Sequence, residues 1–77
     1  MENDLLVIEG VNMIRDAIKL NAEMTHLFFT NRDLLRDIPF RSGFNESRIF
    51  YVTYRTMKKF SNLKTPPGIM GKNYLVL

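Results

Sequence analysis

One histidine, eight carboxylates and no cysteine are the whole inventory from which this 77-residue chain could assemble a catalytic centre. A nucleophilic triad needs Ser or Cys beside a histidine and an acid. His26 falls in an apolar, aromatic stretch next to Leu27, where an imidazole is more often packed than catalytic, and it is read as structural. Paired carboxylates occur only as Asp33 with Asp37 or Asp4 with Glu9, and neither pair supports glycosidase-like or aspartic chemistry. The missing cysteines remove disulfides and thiolate metal sites, and one histidine cannot make a histidine-based metal site. Neither a Gly-x-Gly-x-x-Gly fingerprint nor a P-loop occurs. Met13, Met24, Met57 and Met70 lie among apolar neighbours and read as packing residues. These residues describe a binding module rather than a catalyst.

Charge says what it could bind. The net charge is +3, but residues 1–40 carry four cations against seven carboxylates, whereas residues 41–77 carry seven cations against Glu46 alone. A basic half suits a polyanion, because each Lys or Arg near a phosphate releases condensed counterions. The same cations could equally solvate a surface. No apolar run approaches the ~18 residues that span a bilayer, and the opening Met1-Glu2-Asn3-Asp4 is unlike a signal or transit peptide. A soluble chain forming one domain over residues 1–77 is expected, with 45% hydrophobic residues for its core.

The elements that must position these residues alternate. Leu5 to Ile8 could be a strand or the lead-in to a helix. From Val11, apolar Ile14, Ala17 and Ile18 recur at helical spacing opposite Asn12, Arg15, Asp16 and Lys19, which predicts an amphipathic helix. Glu9 is placed to meet its dipole, and Asn21 to close it in a left-handed turn. Thr25 to Thr30 predicts a buried strand. Asn31 then caps a short helix with Leu34, Leu35 and Ile38 inward, stopped by Pro39. Phe40 to Arg48 reads as a flexible loop. Ile49 to Val52 predicts a second strand, and Thr53 caps a helix over 54–60 with Met57 and Phe60 inward. Lys64 to Gly68, with two prolines, forms a rigid loop, and Ile69 to Leu77 a last strand weakened at Gly71. Such alternation predicts an α/β class in three layers, with parallel pairings and helices on both sheet faces.

Four segments carry a family resemblance over residues 5–76. Ile8-Glu9-Gly10-Val11-Asn12-Met13-Ile14-Arg15-Asp16-Ala17, His26-Leu27-Phe28-Phe29-Thr30, Tyr54 to Phe60, and above all Leu63-Lys64-Thr65-Pro66-Pro67-Gly68-Ile69-Met70-Gly71 resemble, in order and spacing, the N-terminal substrate-binding domain of SpoU-type RNA 2′-O-ribose methyltransferases. Its mitochondrial ribosomal-RNA branch is the most similar. The resemblance implies an α/β/α sandwich like that of the kink-turn-binding ribosomal proteins, in which a loop and a helix start grip RNA. Free amides and the positive dipole end at a helix start attract phosphate, and glycine permits close approach. Implied RNA contacts are Glu9, Gly10, Asn12 and Arg15 at the helix entry, Arg32 and Tyr54 at later helix starts, and Thr65, Pro66 and Gly68 in the loop. Glu9-Gly10 also reads as a plain helix-entry turn, and the loop as a structural one. Met13 stands where those ribosomal proteins have an acid, and Pro67 where the family has Gln. Lys72, in the last strand away from that helix start, is a bystander on this reading.

The resemblance further implies a parent enzyme that is a homodimer, acts on ribosomal RNA, and binds S-adenosylmethionine in a separate knotted domain. This chain would bind no cofactor and would read as a piece cut at a domain boundary. The mitochondrial matrix, or else the cytoplasm, is the implied compartment. The alternative is a protein-interaction or dimerisation module of the same fold without RNA contact.

Overall fold

The computed structural model describes residues 4–75, so Met1 to Asn3 and the Val76-Leu77 end of the expected last strand lie outside the described residues. The chain runs β1 (Asp4–Glu9), α1 (Val11–Lys19), β2 (Glu23–Phe29), a 3-10 helix (Arg32–Asp37), a second (Glu46–Arg48), β3 (Ile49–Tyr51), α2 (Tyr54–Phe60) and β4 (Ile69–Leu75). The ambiguous run after Asp4 is therefore a strand. The result is a small α/β domain with a four-stranded mixed sheet and two α-helices.

The expectation of parallel pairing is corrected by the strand order β1-β4-β2-β3. Only β2 and β3 are parallel, with Leu27 opposite Ile49. β4 enters between β1 and β2 and runs antiparallel to both, setting Gly71 opposite Ile8 and Leu27. The rigid 61–68 loop returns the chain beside the strand ends it has just left, so β4 can only run back down the sheet. Gly71 is no weak point. A Cβ there would come within 3.0 Å of Asn73 Oδ1, 3.4 Å of Met24 Sδ and 3.7 Å of Ile14 Cγ1, so its absence lets α1 lie close over the central strand.

α1 forms because its apolar residues share one face, and Ile14 and Ala17 are buried there. Ile14 joins Met24, Leu27 and Phe29 of β2, Ile69 of β4, and Ile38 in the core cluster. Fully burying a side chain such as Ile14 or Leu27 contributes about 1.5–3 kcal/mol. Asn21 ends the helix with φ 62, the left-handed turn expected. Thr53 caps α2 by accepting from the Thr56 N–H at 3.1 Å, and Phe60 packs edge-on against Phe28 on the opposite sheet face.

Two local expectations change. The helix after Asn31 is 3-10 rather than α, with Asn31 accepting from the Asp33 N–H at 2.9 Å; Pro39 leaves too few residues for an α-helix to propagate. The 40–48 loop is anchored. Phe40 and Phe44 pack together and against the core, and Arg41 donates to the Ile18 carbonyl and to Asn21 at the end of α1.

Candidate nucleic-acid interface

The C-terminal ends of β1, β2 and β3 and the start of β4 share one end of the sheet, and the loop before β4 is fastened there. Gly10, at φ 98, separates β1 from α1 and donates its N–H to the Ile69 carbonyl at 3.0 Å. The Gly68 carbonyl accepts twice from Thr30, from its N–H at 2.9 Å and its hydroxyl at 3.0 Å. Gly68 has φ 88, and a Cβ there would lie 2.7 Å from Thr30 Oγ1. This position requires glycine on both counts. The Pro67 ring comes within 3.7 Å of the point a Gly10 Cβ would occupy, bringing the loop against the start of α1. No side chain caps α1, which leaves first-turn amides and the positive dipole end for water or an external anion.

Tyr54 and Glu9 hold this loop from the α2 side. The Tyr54 hydroxyl donates to the Pro66 carbonyl at 3.0 Å. Glu9 accepts from the Ser61 hydroxyl and, at 3.4 Å, from the Asn62 N–H. Its expected role at the α1 dipole is thereby corrected: Glu9 ends β1, and strand alternation sends its side chain to the α2 face.

The structure thus brings Glu9, Gly10, Tyr54, Pro66 and Gly68 into one bonded cluster, with Thr65 exposed beside it. Asn12 and Arg15 lie on the exposed side of α1. Arg32 follows Thr30 by two residues and lines a different feature, a cavity of about 580 Å³ shared with Phe29, Leu35, Phe40, Arg41 and Tyr51.

Sequence reasoning did not single out the cations of α2 and its following loop. Arg55, Lys58, Lys59 and Lys64 are all exposed, and no carboxylate occurs anywhere in residues 47–77. Among the described residues the ion pair found is Arg36 with Asp33, at 3.3 Å, remote in sequence from these four. Lys58 Nζ lies 6.0 Å from the centre of the Tyr54 ring. The charge asymmetry was visible in the sequence; its gathering on the helix that holds the 61–68 loop was not. Among the described residues no group of three His, Asp or Glu side chains could hold a metal, and no helix is long and apolar enough to cross a membrane.

Comparison with known proteins agrees with this picture. Residues 1–71 match the model of the MRM3-like substrate binding domain. The mitochondrial rRNA methyltransferase 3 of Xenopus laevis is 30% identical over 66 residues, and that of Homo sapiens 35% identical over 66 residues. Each alignment takes in 86% of this chain, which spans about 16% of the length of these relatives. No solved structure matches the chain. With the match covering nearly the whole sequence, the chain belongs to the MRM3-like substrate-binding domain family.

Proposed function

We propose that this chain binds ribosomal RNA and presents a ribose 2′-hydroxyl to an S-adenosylmethionine-dependent methyltransferase domain of the same protein. One observation carries the reading: the uncapped start of α1, the 65–68 loop and the basic helix α2 meet at one end of the sheet. The amides of α1 and the cations of α2 meet there, residues 47–77 carry no carboxylate side chain, and the Glu9 carboxylate of this cluster is engaged by Ser61 and Asn62, an arrangement that attracts phosphate. Gly10, Asn12, Arg15 and Thr65 form the contact surface in this reading, the buried Pro66 and Gly68 fix the loop that presents Thr65, Arg32 extends the surface, and Tyr54 offers a ring to an unstacked base. Glu9 supports the loop from behind. The placement of α1 on one face of the sheet and α2 on the other supports reading the fold as a three-layer sandwich like that of the kink-turn-binding proteins. In this reading the parent is a homodimeric 2′-O-methyltransferase of the mitochondrial matrix, which the mitochondrial naming of the relatives supports.

Titration of the chain with structured ribosomal RNA at several salt concentrations tests this. Affinity is expected to fall steeply from low to physiological salt, and Arg15→Ala to weaken binding across RNA sequences and lower the salt slope by about one unit. Absent or salt-independent binding would instead favour a protein-interaction module.

A further inference from the structure

The sheet face opposite α1 carries an aromatic and cationic surface that the resemblance does not use. Its origin is a bulge. Met24 and Leu27 both point into the α1 core, a spacing of three that strand alternation forbids. The register shift between Met24 and His26 supplies the extra residue and turns His26 outward. Thr25 secures it. Its hydroxyl donates to the Lys72 carbonyl at 3.2 Å, and His26 Nδ1 lies 3.0 Å from Thr25 Oγ1. With the one hydroxyl proton committed to Lys72, Nδ1 is the donor to Thr25, and Nε2 is left to meet a ligand.

Two rows cross the strands on this face. Val7, Lys72 and His26 are register partners, and Arg48 extends their row, since it precedes Ile49, the partner of Leu27. Two residues along, Met70, Phe28 and Phe50 are partners. His26, Phe28 and Phe50 are near-parallel, with ring centres 5.5–6.4 Å apart, and Lys72 Nζ lies 5.9 Å from the Phe28 centre. α2 covers the Phe28 end through Phe60. Phe50 lies on the edge strand and is 40% exposed, so the ring series is open on that side. Thr25, His26, Arg48, Lys72 and Tyr74 line an open groove of about 400 Å³. The carboxylates of this face stand at its two ends: Glu9 is engaged by Ser61 and Asn62, and Glu23 sits opposite Tyr74.

We propose that this face takes a single-stranded RNA segment, whose unpaired bases stack on Phe50 and His26 while Lys72 and Arg48 hold its phosphates. Rings beside cations are what an unpaired strand requires, because each base offers a π-face and each linkage a negative charge. A duplex keeps its base faces buried and cannot use the rings. The proposal rests on the RNA-binding reading and adds a second contact surface, on which Lys72 is a ligand-binding residue rather than the bystander expected from sequence.

The test uses the fact that His26 is the only histidine, so its ring protons give isolated NMR signals. Titration with a short oligouridylate is expected to move them upfield and saturably, through the ring current of a stacked base. Phe50→Ala and Lys72→Gln are each expected to weaken oligouridylate binding about tenfold, while the Tyr54–Pro66 end of the sheet stays intact by amide NMR. If structured RNA binds with steep salt dependence while the His26 signals stay fixed in oligouridylate, this proposal is wrong and the RNA-binding reading survives. If neither RNA binds, both fall. A His26 shift that grows with protein concentration alone would mean that a second copy covers the face, and would also overturn it.

Discussion

At the scale of single residues, the candidate interface depends on backbone positions more than on charges. Gly68→Ala must adopt a left-handed conformation that costs a non-glycine residue about 1–2 kcal/mol, and its Cβ would displace the Thr30 hydroxyl that bonds the Gly68 carbonyl. Urea unfolding is expected to show a loss of about 2–3 kcal/mol, the second part being the broken hydrogen bond. Gly10→Ala meets the Pro67 ring at 3.7 Å, an ordinary contact, but φ 98 with ψ 147 is a backbone region essentially confined to glycine, so its expected loss of about 1–3 kcal/mol is conformational rather than steric. A Gly68→Ala loss no larger than the backbone cost of about 1–2 kcal/mol would mean that the Thr30 contact contributes nothing. Gly10 and Gly68 were legible in the sequence as turn glycines. The partner that crowds Gly68 was not, because Thr30 is 38 residues away. Glu9 shows the same limit. Its place before a helix suggested a dipole contact, and only the alternation of β1 and the position of α2 reveal that its carboxylate holds Ser61 and Asn62 instead.

Among the elements, α2, which has both a periodic face and a capping residue, was legible to the residue. Its seven residues are too few to hold a helix by propensity alone, so Thr53 matters more than an average cap. Thr53→Ala is expected to cost about 1 kcal/mol and to speed amide exchange at Met57 and Ser61, whose N–H groups bond the Thr53 and Met57 carbonyls. Unchanged exchange at both would place the stability of α2 wholly in the packing of Met57 and Phe60. The pairing sense of the strands could not be read this way. Alternation within β4 says which face each residue takes but nothing about its neighbours, and the antiparallel insertion follows from where the 61–68 loop releases the chain. The bulge at Thr25 was hidden for a related reason: a stretch as apolar as His26 to Phe29 looks alike in either register.

For the whole molecule, the feature with the widest reach is the position of β4, last of the four strands in sequence and second in the sheet. It bonds both β1 and β2, so without it those strands have no common partner and the core around Leu27 has no Ile69. A chain ended after Pro67 is expected to give a coil-like circular dichroism spectrum and no cooperative melting transition; a native-like transition would mean that α1, β2 and β3 fold without the central strand. The same topology bears on the order of events during synthesis. At about 5–20 residues per second, the stretch from Phe29 to Ile69 takes roughly 2–8 s to make, and throughout that interval β2 lacks its central partner and its apolar residues stay uncovered. On this expectation the nascent domain waits on the ribosome unfolded, a natural client for a holding chaperone, until its last strand emerges and the sheet forms in a single step.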